Sequence, residues 1–186
     1  MKKIVEVIFF FAIVTIVGCA ATLPDKGSIQ KNYSINDVKT FSSTLNCENT
    51  KVTDVRPNFI QDYCKVLQTN LNMALKRENP NFQFEENSPD LKIKAILEQV
   101  HGGSAAARFW VGFGAGRSIT TLYVTVEKND KIIAERRFTE TTTMPNIVSG
   151  AYANEDAILQ DAPLIAHKIA EFVKDPVAFE EKTKGE

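Results

Sequence analysis

Two stretches of helical periodicity enclose three stretches of strand alternation, and this order constrains the fold more than any other feature of the chain. Apolar residues recur three or four positions apart from Ile60 to Leu75, as they do on the buried face of a helix. A second apolar stripe runs from Ile158 to Phe172. It continues in phase across Pro163, which indicates either one kinked helix or a short turn that feeds a longer helix.

Alternation of apolar and polar side chains predicts the strands between the two helices. Residues 91–98 alternate, and residues 121–127 alternate again before Asn129-Asp130, a pair that is typical of turns. Ile132 to Phe138 continue the pattern on a return strand. Residues 128–131 are therefore predicted to close a hairpin.

The remaining segments carry weaker signals. A first strand is predicted from Tyr33 to Thr40, followed by an irregular polar stretch over residues 42–51. Asp54 can cap the start of the first helix, and Asn154 can cap the start of the last. Residues 81–89 are predicted to form a polar loop.

The predicted order of elements is strand, helix, strand, strand, strand, helix. Neither an amphipathic helix nor a half-apolar sheet can hide its apolar side alone, so the two helices must cover one face of the sheet. The predicted fold class is α+β, a two-layer sandwich. In it a mostly antiparallel sheet carries both helices on one face.

The first nineteen residues have the order of a bacterial lipoprotein signal. Lys2 and Lys3 precede an apolar run from Ile4 to Val17, which is shorter than the roughly 20 apolar residues of a comfortable membrane span. The apolar run is followed by Gly18-Cys19, a small residue and a cysteine, and this pair looks like a lipobox. By that resemblance Cys19 becomes the first residue of the mature protein and carries lipid, palmitate included, on its thiol and amine.

The alternative for this stretch is a single uncleaved anchor helix. A charged residue such as Glu6 is costly inside a spanning helix, which disfavours this alternative. Ala20 and Ala21 stand where an aspartate would resemble an inner-membrane retention signal. The expected address is the cell envelope, at the outer membrane and facing the periplasm, with a Gram-positive surface lipoprotein as the other possibility.

The length of the chain indicates one domain, and its charge limits the kinds of partner that it can bind. The chain is predicted to divide into a signal peptide (1–18), a lipidated tether (19–30), one α+β domain (31–176) and a loose charged tail (177–186). A formal net charge of −1, with both signs mixed, argues against a nucleic-acid partner, because such proteins usually present a basic patch.

Two cysteines remain once Cys19 is assigned to lipid. Cys47 and Cys64 would lie in an oxidising compartment, where a pair of cysteines is more often bridged than free. Spacing alone does not supply the geometry that a disulfide requires. The pair therefore forms either a disulfide or two small buried thiols.

One stretch between the second and third strands is too long for a tight hairpin and too apolar for a solvated loop. Its glycines, at positions 112, 114 and 116, permit a bend or a close backbone approach. Its large side chains either cap one end of the core or form an exposed contact for a partner or a membrane surface. The glycine bend and the candidate contact comprise Gly112, Gly114, Gly116, Arg108, Phe109, Trp110, Val111, Phe113 and Arg117.

The run Ala106-Ala107-Arg108-Phe109, continued by Val111 to Gly116 and an alternating strand, resembles the hallmark segment of an uncharacterised bacterial lipoprotein family, the domain of unknown function DUF4410. The resemblance covers the lipobox and roughly Tyr33 to Lys174. Members typically have an Asp-x-x-x-Gly turn in the later hairpin, whereas this chain has Lys-Asn-Asp-Lys. The resemblance implies an envelope lipoprotein with an α+β domain, and it brings no activity, ligand or catalytic residue.

The sequence does not favour an enzyme. His101 and His167 are the two histidines, and neither stands in a Gly-x-Ser-x-Gly, His-Glu-x-x-His or cysteine–histidine metal pattern. We therefore expect no catalytic residue, metal or cofactor. The expected function is a lipid-anchored module that binds another envelope protein, with the binding of a small apolar ligand or lipid as the alternative.

Overall fold

The computed structural model of the protein describes residues 27–103, 117–142 and 153–184. These ranges contain seven strands and three helices. The strands are β1 (Gly27–Ile29), β2 (Thr40–Asn46), β3 (Lys51–Thr53), β4 (Gln83–Phe84), β5 (Leu91–His101), β6 (Ser118–Lys128) and β7 (Lys131–Thr142). The helices are α1 (Phe59–Glu78), α2 (Ala153–Lys174) and α3 (Pro176–Lys184).

All seven strands belong to one open sheet with the order β1-β7-β6-β5-β2-β4, and β3 pairs with β5 beyond the end of β2. β1, β7, β6 and β5 pair antiparallel with one another. β2 and β3 join β5 in parallel, and β4 joins β2 in parallel. The α+β class is therefore confirmed, but the sheet is mixed and its element order differs from the predicted one.

The helices cover one face of the sheet and bury its apolar side. The backbone N–H and guanidinium of Arg56, just before α1, bind Glu155 in the first turn of α2. At the other end Arg77 contacts His167, so α1 and α2 lie side by side and run in the same direction. The core between the layers includes Tyr63, Leu67, Leu71, Leu75, Leu91, Leu97, Leu122, Val124, Val126, Phe138, Ile158, Ile165, Ile169 and Phe172.

The first strand was predicted about seven residues too early in the chain: it was expected from Tyr33 to Thr40, and β2 runs from Thr40 to Asn46. Residues 33–39 contain no strand, and β2 begins at the last residue of the predicted strand and continues through residues that were predicted to be irregular. Phe41 and Ser43 point inward from β2. The polar Ser43 breaks the apolar alternation, and it is tolerated because its hydroxyl bonds Asn72 and accepts from Gln68 of α1 at 2.9 Å.

Both helix starts differ from the predicted caps. α1 begins at Phe59 after Asn58, whose side chain makes no capping hydrogen bond. Asp54 lies further upstream in a left-handed conformation, with φ of 58°. α2 begins at Ala153, so the predicted cap Asn154 lies inside its first turn, and the helix is continuous through Pro163.

Both ends of the domain contain structure that the sequence did not predict. Gly27–Ile29, assigned to the tether, form strand β1 on the edge of the sheet. The tail was expected to be loose, but Pro176–Lys184 form helix α3 with Phe179 buried. Asp175 caps α3 by accepting a hydrogen bond from the backbone N–H of Ala178 at 3.0 Å.

The predicted hairpin between β6 and β7 is confirmed. Asn129 and Asp130 take φ of 52° and 57°, the left-handed conformation that a two-residue hairpin turn requires. Asparagine and aspartate tolerate this conformation, which explains how the turn forms without glycine. A register shift next to Val126 turns Ile132 outward, so that Ile132 is exposed although it continues the apolar alternation.

A disulfide joins Cys47 and Cys64. Cys47 follows β2 directly, and Cys64 lies in the second turn of α1. The bridge therefore ties the end of β2 to helix α1. Among the helices in the described ranges, none is both long enough and apolar enough to cross a membrane.

Candidate functional site

The predicted contact segment leaves and re-enters the sheet at one end. β5 ends at His101 beside Ile119, and β6 starts at Ser118 beside Thr142, the last residue of β7. We call this end of the sheet, formed by His101, Ser118 and Thr142, the contact end. The β6–β7 hairpin, with Lys131 at its tip, lies at the opposite end.

Most of the predicted site residues lie outside the described ranges. Of the candidate contact, the structure describes Arg117, which is exposed and stands directly before β6. The others that fall outside are Cys19, Arg108, Phe109, Trp110, Val111, Phe113, Gly112, Gly114 and Gly116.

The backbone at the start of the contact segment is fixed by Gly102. A Cβ atom added at Gly102 would lie 2.1 Å from the carbonyl oxygen of Asp54 and 2.9 Å from Cγ1 of Val55. The N–H of Gly102 donates to the carbonyl of Thr53 at 2.8 Å. Glycine is therefore required here, because the chain leaving β5 passes directly against the left-handed turn at Asp54.

We expect Gly102→Ala to lower the free energy of unfolding by about 3 kcal/mol, since the new methyl group overlaps backbone atoms that cannot rotate away. Gly103 has φ of 76°, so Gly103→Ala should cost about 1–2 kcal/mol from backbone strain alone. Urea denaturation of both variants measures the difference. A Gly102→Ala variant no less stable than Gly103→Ala would show that this close approach is absent in solution.

His101 is held at the contact end without the geometry of a catalytic triad. Its Nδ1 lies 2.6 Å from Oγ1 of Thr53 and 3.3 Å from Oδ2 of Asp54. A triad needs the nucleophile on one ring nitrogen and the acid on the other. Here the hydroxyl and the carboxylate share one nitrogen, so this group does not have the arrangement that activates a nucleophile.

His167 lies on α2 in a network of charges at the far end of the helix layer. Its Nδ1 is 2.9 Å from Arg77 and 3.4 Å from Glu78, and its Nε2 is 3.8 Å from Glu171. Lys174 approaches Glu78 at 3.6 Å. In the part of the chain that the structure describes, no group of three or more His, Cys, Asp and Glu side chains is placed to hold a metal ion.

The interior of the contact end is polar. Thr120 of β6, Tyr63 of α1 and Asp161 of α2 are all buried between the layers. Oδ1 of Asp161 accepts a hydrogen bond from the hydroxyl of Thr142, whereas its Oδ2 has no hydrogen-bond partner among the described residues. Burial, with a smaller contribution from the charge of Glu140, raises the pKa of Asp161 to about 6.

Sequence reasoning missed Asp161, although a signal was present. Asp161 lies on the apolar stripe of α2, three residues after Ile158 and four before Ile165. An acid at such a position has to be buried or has to distort the helix. The sequence could therefore have indicated a buried carboxyl group, but not the hydroxyl group of Thr142 that the fold brings to it.

A family model for a domain of unknown function, DUF4410, matches residues 35–152. This match spans more than half of the chain. The chain belongs to the DUF4410 family. The family membership predicted from the glycine-rich segment is thereby confirmed, and the matched range of this DUF4410 protein contains β2 to β7 together with α1. No curated protein matches the sequence.

Solved structures resemble the DUF4410 chain in fold at low sequence identity. A DUF330 protein from Xanthomonas campestris is 9% identical, with a TM-score of 0.50 over 80% of this chain and 89% of that one. PelC from Paraburkholderia phytofirmans, described as a dodecamer, is 7% identical with a TM-score of 0.46, covering 78% and 97%. A minor lipoprotein from Acinetobacter baumannii is 11% identical with a TM-score of 0.43, covering 74% and 94%.

Proposed function

We propose that this DUF4410 protein is a lipid-anchored, non-enzymatic module of the cell envelope that binds another envelope protein. Lipid on Cys19 holds it at the outer membrane, facing the periplasm. Its partner binds the contact segment, residues 108–117, at the contact end of the sheet. The module uses no metal or cofactor and binds no nucleic acid.

The direction of β1 carries the proposal. β1 runs antiparallel to β7, with Gly27 beside Arg136 and Ile29 beside Ala134. Followed backward from Gly27, the direction of β1 points along β7 toward Thr142 and thus toward the contact end. This direction favours a lipid anchor at the same end of the domain as the contact segment, and hence a partner at the membrane.

The length of the tether supports the same arrangement. Gly27 is eight residue steps from Cys19, and an extended chain of eight steps spans at most about 27 Å. The six residue steps of β7 from Arg136 to Thr142 span about 20 Å. Cys19 can thus reach just past the contact end, which keeps that end close to the bilayer while β1 stays on the sheet.

The outer face of the sheet, opposite the helices, is a weaker candidate for the contact because its charges already neutralise one another. Arg137 donates to both carboxylate oxygens of Glu98, at 2.6 and 2.9 Å. Lys94 binds Glu127 at 2.7 Å. A partner that covered these pairs would bury charges without offering them better partners, which is costly.

The alternative of a small apolar ligand gains no support from the described residues. A cleft between the end of α1 and the α2–α3 junction is lined mainly by charged side chains: Glu78, Glu171, Lys174, Asp175 and Lys182. Ligand pockets for apolar molecules are instead lined predominantly by apolar side chains. We therefore prefer a protein partner.

Lipid anchoring is tested by comparing the wild-type chain with Cys19→Ala and, as a control, Thr22→Ser. We expect wild type and control to lose residues 1–18, to gain the mass of acyl chains on Cys19, and to need detergent for release from membranes. Cys19→Ala should show no acyl mass. A wild-type protein that keeps residues 1–18 and carries no lipid would refute the anchor.

A further inference from the structure

Helix α3 and strand β1, which follows the tether, both contact β7 at Arg136. Arg136 of β7 is buried, and its guanidinium forms an ion pair with Glu180 of α3. The guanidinium also lies 4.9 Å from the ring centroid of Phe179 and 5.7 Å from that of Phe138. An arginine stacked between rings and bound to a carboxylate holds two elements together with a defined geometry.

The aromatic cluster under α3 joins the helix to the core. The ring of Phe179 lies 5.8 Å from that of Phe138 and 5.9 Å from that of Phe172, measured between centroids. Phe138 and Phe172 are themselves 5.6 Å apart. Burial of all three rings fixes α3 at this edge of the sheet, so Glu180 has little freedom to leave Arg136.

The first described residue of β1 packs against this ion pair. A Cβ atom on Gly27 would lie 3.0 Å from the carbonyl oxygen of Glu135, and 3.5 Å from both Cγ of Arg136 and Oε1 of Glu180. Ser28 adds a hydrogen bond to Glu135 at 2.9 Å. β1 therefore pairs with β7, and its first residue, Gly27, also lies against Glu180 of α3.

We infer that α3 is a clamp that holds β1 on β7 and thereby sets the distance between the lipid anchor and the domain. With β1 held, the sheet begins eight residue steps after Cys19, and the anchor reaches at most about 27 Å. Gln30 extends the pairing of β1 with β7, since its backbone N–H bonds the carbonyl of Ile133 and its side chain bonds that of Ile132. With β1 and Gln30 released together, the next attachment is Tyr33, whose hydroxyl bonds the carbonyl of Val173. The free chain from Cys19 to Tyr33 then has fourteen residue steps and reaches about 48 Å.

This clamp rests on the proposed lipid anchor for its effect at the membrane, but not for its effect on β1. Both effects, on β1 and at the membrane, are tested with Glu180→Gln, which removes the charge facing Arg136 and keeps the shape of the side chain. Glu181→Gln, the exposed neighbour on α3, is the matched control. Gly27→Ala is a second variant, because its methyl group would lie only 3.0 Å from the carbonyl oxygen of Glu135 and would push β1 away from β7, while its 3.5 Å approach to Glu180 is an ordinary contact.

The first measurement is amide hydrogen exchange of residues 28–30 in the purified full chain. We expect Glu180→Gln and Gly27→Ala to speed this exchange by about tenfold or more, while the amides of β5 and β6 stay protected. Glu181→Gln should leave exchange unchanged. Unchanged exchange in both test variants would overturn the clamp.

The second measurement is energy transfer from a fluorophore at position 131 to a lipid dye, in vesicles of phosphatidylethanolamine and phosphatidylglycerol. Transfer should fall in Glu180→Gln and Gly27→Ala, because the domain can move away from the bilayer. Faster exchange with unchanged transfer would overturn the control of distance. A wild-type chain that fails to bind vesicles would refute the anchor instead, and the exchange comparison would still decide whether α3 holds β1.

Discussion

Replacing Cys47 and Cys64 together by serine is expected to lower the free energy of unfolding by about 3 kcal/mol, the value for a disulfide that closes a loop of this length. The two cysteines are 17 residues apart. In a domain of this size the loss corresponds to a fall in Tm of about 6–12 °C. The reason is that the bridge restricts the unfolded chain between β2 and α1.

Thermal unfolding with and without a reducing agent measures this effect. A Cys19→Ala background keeps the third cysteine from reacting. The reducing agent should lower the Tm of the protein with Cys47 and Cys64 intact, and it should have no further effect on the double serine variant. Equal melting temperatures for the two proteins under oxidising conditions would contradict a bridge in solution.

Replacing Asp161 by asparagine is expected to stabilise the protein at neutral pH by about 2–3 kcal/mol, from a pKa difference of roughly two units. The folded-state pKa of Asp161 is about 6, above the value of 3.8 for an unperturbed aspartate. Between these two values the folded state binds more protons than the unfolded state. The contribution of Asp161 to stability therefore falls as pH rises from about 4 to about 6 and stays low above that range.

Denaturant unfolding of wild type and Asp161→Asn at a series of pH values tests this prediction. The stability difference should be near zero at pH 4, should grow through pH 6 and should then level off. An asparagine at this position still accepts the hydrogen bond from Thr142. Asp156→Asn, an exposed acid on the same helix, is the control and should show no such trend. A destabilised Asp161→Asn at pH 7.5 would contradict a strained buried carboxylate.

Strong periodicity was enough to predict α1, β5, the β6–β7 hairpin and α2 from the sequence. Each of these elements buries one face against a single apolar layer, so its apolar residues repeat at the period of its backbone. The prediction failed for β2, where an inward Ser43 finds its partners on α1. Those partners are brought to Ser43 only by the fold, so no local pattern reveals them.

The prediction also failed at the two ends of the domain, where it missed β1 and α3, and the reason is different there. Asp175-Pro176 can end a helix, because proline does not continue one, and an acid followed by proline is also typical of a helix start. The pair serves both purposes here, since it ends α2 and begins α3. β1 has three residues, too few for alternation to be visible, and it exists because β7 offers an edge to pair with.

The sequence did indicate two buried charged residues, Arg136 in the clamp and Asp161 in the polar interior, because each occupies an inward position of its element. Arg136 falls between Ala134 and Phe138 on the inward side of β7, as Asp161 does on the stripe of α2. The sequence indicates that such residues need partners. It does not indicate which ones, because Glu180 and Thr142 reach them only through the tertiary fold.

Photocrosslinking in the native host tests the proposed contact most directly. A crosslinker at Trp110 probes the contact segment, and one at Lys131 probes the opposite end of an 11-residue strand, about 35 Å away. We predict a discrete band of crosslinked protein from Trp110 and none from Lys131, in a lipidated and folded chain. No band from Trp110, or equal bands from both positions, would contradict a protein partner at the contact end.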